Sequence, residues 1–185
     1  GGQHFGQHTE LSLSHDAIEA QIYDYALLQD QSMAAAFYAD KPDEYAHVPE
    51  NFVKLADMVL SHSPECKLIL EHTWGYKKED CKGFKTVENF NNMLREGCTT
   101  IAALKNAEIS HIGDAFIAVD TKKLGNSLHA SDDHHQSYYG SYLKACVNYL
   151  MITGEPFNEN VANCGIDPQK AEILRKAAEK TVLGE

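Results

Sequence analysis

Tyr23-Asp24-Tyr25-Ala26-Leu27-Leu28-Gln29-Asp30-Gln31-Ser32 holds a compact apolar run, Tyr25 to Leu28, that stops abruptly at polar groups. A strand buried on both faces reads as a continuous apolar run rather than an alternating one. Its polar end then lies at the carboxyl edge of a parallel sheet, where open α/β folds bind ligands. Lys67 to His72 repeats the pattern and is followed by Thr73-Trp74-Gly75-Tyr76. Glu108 to Ile112 is a third, shorter case, followed by Gly113-Asp114-Ala115-Phe116.

Helical periodicity lies between and after these runs. The pattern predicts helices over 11–22, 49–61, 86–106, 115–119, 136–151 and 168–182. Residues 1–9, 33–48, 77–85 and 122–129 read as loops or excursions. Strands alternating with helices predict an α/β fold, a three-layer α/β/α sandwich on a parallel sheet, with 1–185 as a single domain.

The chain has 185 residues, 43% hydrophobic and 23% charged, which suits one globular core. Its formal net charge of -11 argues against nucleic acid or an anionic membrane as the main partner, because polyanions reward Lys and Arg. A neutral or weakly charged small molecule fits better. No run approaches the roughly 20 apolar residues of a membrane helix. The five cysteines, Cys66, Cys81, Cys98, Cys146 and Cys164, include no Cys-x-x-Cys pair. Cys98 and Cys146 read as buried apolar groups, Cys81 and Cys164 as loop residues. The chain starts at Gly1 without Met, so a missing leader says nothing about compartment.

The densest chemistry is Ala130-Ser131-Asp132-Asp133-His134-His135-Gln136-Ser137. Asp132 and His135 are three apart, close enough for the carboxylate to reach the imidazole. A carboxylate on one ring nitrogen fixes the tautomer and leaves the other nitrogen as a general base. Gln29, at the end of the first strand, offers a neutral amide donor suited to an anionic oxygen. Trp74 stands just past the second strand, either walling a cleft or covering the sheet end. His4 and His8 have a spacing that binds metal on a helix, but glycines surround them and no carboxylate pair is near, so neither metal nor cofactor is expected.

Four segments occur in a telling order: residues 23–32, 68–75 (Leu-Ile-Leu-Glu-His-Thr-Trp-Gly), 112–116 (Ile-Gly-Asp-Ala-Phe) and 132–143 (Asp-Asp-His-His-Gln-Ser-Tyr-Tyr-Gly-Ser-Tyr-Leu). Together they resemble the SGNH/GDSL-type hydrolase superfamily, in particular its DUF4886-like bacterial branch, from Gly1 to about Pro156. The resemblance implies a flavodoxin-like topology and carboxylic ester hydrolysis. His135 would be the base and Asp132 its orienter. Gln29 matches the oxyanion amide, and Gly2, rather than Gly1, the oxyanion glycine. Gln136 stands where the branch commonly has Pro. Family analogy also implies a periplasmic or secreted protein. It leaves room for a homo-oligomer.

One part of the pattern is missing. The first strand and its Gly-Asn-Ser nucleophile turn would precede Gly1. Ser32 falls just after the amide position, and Ser12 and Ser14 lie in the first predicted helix, so none stands where the nucleophile is expected. A central first strand implies a gap. Two neighbouring strands would lose their ladders, at roughly 1–3 kcal/mol per buried group, against a stability of about 5–15 kcal/mol. Either an upstream segment or a strand from another chain fills the gap and brings the nucleophile, or the sheet is rearranged, the strand ending at Gln29 pairs directly with its next neighbour and the protein is inert as an esterase. Three functions follow. The first is a serine esterase acting on a small or carbohydrate-linked ester. The second is a non-catalytic binding or structural domain, or fragment, on the same scaffold. The third and least favoured is a metal-dependent hydrolase using His72, His111, His134 and His135.

Overall fold

The run at 25–28 forms β1 (Tyr25–Leu28), which pairs in parallel with β2 (Lys67–Glu71) in the computed structural model, where residues 2–77 and 83–184 are described. The register is Tyr25↔Lys67 through Leu28↔Leu70. With β3 (Glu108–Ser110) they make a three-stranded parallel sheet in the order β1-β2-β3. The expected interior gap is therefore absent. β1 meets β2 directly, and among the described residues β1 and β3 are the two edges of the sheet. That removes the argument that this chain cannot close its sheet without a donated strand.

The chain divides into two compact units, residues 1–73 with 92–109, and 74–91 with 110–185. In the first, α1 (Phe5–His8), α2 (Ser12–Glu19), α3 (Ala34–Asp40) and α4 (His47–His62) accompany β1 and β2. The α4 helix buries Val48, Phe52, Leu55, Ala56 and Val59, a 3–4 spacing that presents one apolar stripe. Phe5 stacks obliquely on Phe52, with ring centroids 5.6 Å apart. Most of α5 (Val87–Ala103) also belongs to this unit. It approaches α3 closely at Gly97, where a Cβ would lie 1.9 Å from the Ala35 carbonyl oxygen. The α3 helix fell in a segment read as an excursion. Its three buried alanines have high helix propensity, and Pro42 prevents continuation.

The second unit is helical, with α6 (Ile112–Ala118), α7 (Thr121–Leu124), α8 (Tyr138–Thr153) and α9 (Pro168–Val182). The α9 helix starts as its sequence predicts. Asp167 accepts the Gln169 and Lys170 amides at 3.0 and 3.2 Å, and Pro168 takes the first turn, where no amide partner is needed. Leu143, Val147, Leu150, Ala171 and Leu174 form its core. The short α7 was expected to be loop. Asp120 caps its amides and Gly125 closes it in the left-handed region at φ 70°. At β3 the expected strand to Ile112 ends two residues earlier, and His111 becomes the cap of α6.

Among the described residues no helix is long and apolar enough to cross a membrane. Cys66, Cys98, Cys146 and Cys164 are free thiols, the first three buried. Burial pushes the Cys98 and Cys146 thiols up to about 12, so both are inert at neutral pH. Cys81 lies outside the described residues.

Candidate active site

The site is built on the loop between α7 and α8. Ser137 donates its amide to the Leu128 carbonyl at 2.8 Å, His129 and Gln136 form an antiparallel bridge, and Ala130 donates to the His135 carbonyl at 2.7 Å. The chain reverses between them through Asp133, which is left-handed at φ 60°, a conformation that Asp tolerates better than most residues.

Inside this reversal Asp132 does two things at once. Its Oδ1 accepts the amides of His134 (2.9 Å) and His135 (3.0 Å), closing an Asx turn. Its Oδ2 accepts the His135 Nδ1–H at 2.6 Å. The hydrogen bond from His135, with help from the two amides, holds the Asp132 carboxyl well below the usual carboxylate range. The side chains of His135 and Asp132 are 79% and 47% exposed, so this pair contributes little to stability as an ion pair. Its value is geometric. Nδ1 is committed to the carboxylate, and the Nε2 lone pair is left for proton transfer. His134 takes no part in this contact. Its ring lies against Tyr76 at 4.4 Å between centroids, and its Nε2 is buried without a hydrogen-bond partner among the described residues.

Residues 74–77 anchor the loop from outside. Trp74, only 6% exposed, stacks on Phe116 at 4.8 Å and donates its indole N–H to the His134 carbonyl at 2.9 Å. Lys77 donates its amide to the Asp133 carbonyl at 2.9 Å. The His129 ring bonds the Gly75 carbonyl through Nε2 at 2.9 Å, and burial lowers its pKa, so the ring is neutral at pH 7. On the other side Gly140 lets α8 close on the loop, since a Cβ there would come within 2.3 Å of the Leu128 carbonyl oxygen. These ties were not readable from the sequence. Trp74 and His134 are 60 positions apart, and only Ser137 before the α8 helix gave a local signal, as its N-cap.

Trp74→Phe keeps an aromatic ring beside Phe116 but removes the indole N–H and part of the buried ring, so the His134 carbonyl loses its bond and some packing is lost with it. A loss of about 1–3 kcal/mol is expected, read by urea denaturation. Faster amide exchange at His134 and His135 should accompany it.

The remaining candidates lie in the first unit. Gln29 is exposed at the end of β1. Gly2 is exposed and left-handed at φ 75°, and Gly1 is outside the described residues. The Phe5 amide donates to Asp30 Oδ1 at 2.9 Å, which ties the Gly2 segment to the end of β1 that carries Gln29. Ser14 shares a 3.0 Å hydrogen bond with His8 Nδ1, Ser12 is exposed, and the Ser32 carbonyl accepts from Thr73. Among the described residues no serine hydroxyl bonds the His135 ring. Of the histidines considered for metal, His72 is fully buried in the first unit, and His111 Nδ1 lies 3.3 Å from Asp114 Oδ2 in the second.

Solved structures carry the same fold. A DUF4886 family protein from Bacteroides uniformis matches 99% of this chain and 80% of its own at 19% identity, with a TM-score of 0.81. A proposed SGNH hydrolase from Slackia heliotrinireducens matches 82% of this chain and 80% of its own at 20% identity, with a TM-score of 0.65. No protein-family model and no curated protein matches the chain. At these identities the likeness establishes the fold, an SGNH-hydrolase-like α/β arrangement.

Proposed function

We propose that this chain carries the proton-transfer machinery of a serine ester hydrolase of the SGNH type. The observation that supports it most is the 2.6 Å contact of Asp132 Oδ2 with His135 Nδ1, held in a turn that Asp132 itself closes. In this reading His135 Nε2 takes the proton of a serine hydroxyl as its oxygen attacks the ester carbonyl. Asp132 stabilises the resulting imidazolium. The resemblance assigns oxyanion donation to the Gln29 side-chain amide and the Gly2 backbone amide, both residues of the first unit. Collapse of the tetrahedral intermediate expels the alcohol, which receives its proton from His135. Water, deprotonated by the same nitrogen, then releases the acid. The attacking serine is assigned to chain outside residues 1–185. Trp74 acts through the His134 carbonyl as a positioning residue.

A net charge of -11 favours a neutral ester over an anionic one, and a small or sugar-linked acyl ester meets that condition.

The test is hydrolysis of p-nitrophenyl acetate and acetylated sugars by the full-length gene product and by residues 1–185 alone. Turnover by the full-length protein, unaffected by EDTA, and none by residues 1–185 is the expected pattern. Loss of turnover on chelation would point to metal chemistry instead. An inert full-length protein would leave a non-catalytic scaffold.

A further inference from the structure

Cys146 and Cys164 share a corner of the second unit. Cys146 is on the buried face of α8, one turn after Tyr142, and is 4% exposed. Cys164 is exposed, in the connection between α8 and α9, where its backbone is left-handed at φ 50°. Neither thiol takes part in the proposed proton transfer.

Shared partners bring the two sulfurs close. The Tyr142 hydroxyl donates to the Ala162 carbonyl at 3.1 Å, and the Cys164 thiol donates to the same oxygen, with Sγ 3.9 Å away. Cys146 hydrogen-bonds the Tyr142 hydroxyl, and a charge on Cys164 is felt at Cys146. One hydroxyl and one carbonyl oxygen therefore stand between them. The surrounding backbone is pinned. Tyr138 donates its hydroxyl to the Cys164 carbonyl, and Arg175 donates to the Tyr142 hydroxyl at 2.9 Å and to Asn163 Oδ1 at 2.7 Å. What stays free is rotation of the exposed Cys164 side chain about its Cα–Cβ bond, because a thiol is a weak donor and its one contact does not hold it.

We propose that Cys146 and Cys164 are a disulfide-forming pair, closed by a low-molecular-weight disulfide such as oxidised glutathione. Exposure sets the order of events. The Cys164 thiolate attacks one sulfur of the oxidant, expels one glutathione thiolate and becomes a mixed disulfide. The Cys146 thiolate then attacks Cys164 Sγ and expels the second glutathione. The two protein thiols lose two protons and two electrons, and the oxidant becomes two thiols. Cys146 is inert toward reagents in solution because it is buried, and it reacts here because its target is held beside it. The bond would fasten the connection between α8 and α9 to α8 and restrict the unfolded chain. The proposal does not depend on the hydrolase reading.

Peptide mass mapping tests it. The reduced protein is incubated with oxidised glutathione between pH 7 and pH 9, then denatured, alkylated and digested. The expected product is a peptide pair joined through Cys146 and Cys164, with neither residue alkylated. The mixed disulfide should close about tenfold faster per pH unit, since the Cys146 thiol, pushed up to about 12 by burial, gains thiolate in that proportion. The bridged protein should unfold roughly 5–10 °C higher than the reduced one. In Cys164→Ser, a change at an exposed position, Cys146 should remain a free thiol. Glutathione retained on Cys164 at pH 9 with Cys146 still alkylated would overturn the proposal. So would a bridge from Cys164 to any other cysteine, or oxidation of Cys146 in Cys164→Ser.

Discussion

His135→Gln in the full-length protein is expected to lower kcat for ester hydrolysis by about 10³–10⁴-fold or more, with little change in KM. The Nδ1–H of His135 is committed to Asp132 at 2.6 Å, so Nε2 is the nitrogen able to move the serine proton. Asp132→Asn isolates the orienting role. Its Oδ1 still accepts the amides of His134 and His135, so the turn survives. Its amide nitrogen then faces His135 Nδ1 as a donor and forces the other tautomer, with the proton on Nε2. A loss of about 10²–10⁴-fold in kcat is expected without loss of folding. His134→Gln is the control. Its ring rests on Tyr76 and its carbonyl, not its imidazole, holds Trp74, so activity should stay within about threefold. Measuring kcat and KM separately for the three variants separates base, orienter and bystander.

Gly97→Ala should destabilise the first unit by about 3 kcal/mol or more, a fall of roughly 6–12 °C in Tm. An added Cβ would lie 1.9 Å from the Ala35 carbonyl oxygen and 2.6 Å from its carbon. Those are backbone atoms of α3, which cannot swing aside as a side chain can. Alanine has the better helix propensity by nearly 1 kcal/mol, and that gain is far too small to offset the overlap. Gly125→Ala provides the comparison. It is left-handed at φ 70° with open space around it, so only the conformational cost of about 1–2 kcal/mol applies. Thermal unfolding should rank Gly97→Ala well below Gly125→Ala.

The strongest local signals in the sequence were read correctly, whereas short helices and distant contacts were not. Tyr25–Leu28 and Pro168–Val182 match their predicted bounds, the first because an uninterrupted apolar run has sharp polar ends, the second because Asp167-Pro168 marks its start. The Asp132–His135 contact was legible for the same reason, since both residues lie in one turn. The α3 and α7 helices were missed because short helices owe their stability to neighbours and caps rather than to periodicity. Strand order was harder still. An interior gap next to the strand ending at Gln29 was expected, yet β1 pairs directly with β2 and no gap separates them. Nothing in the sequence marked Trp74 as the residue whose indole holds the His134 carbonyl.

The central claim is that His135 activates a serine supplied from outside residues 1–185. Labelling of the full-length gene product with a fluorophosphonate, followed by peptide mass mapping, tests it most directly. The account predicts one labelled serine, located upstream of Gly1, with labelling lost in His135→Gln. Labelling at Ser12, Ser14 or Ser32, or labelling that persists at full rate in His135→Gln, would contradict it.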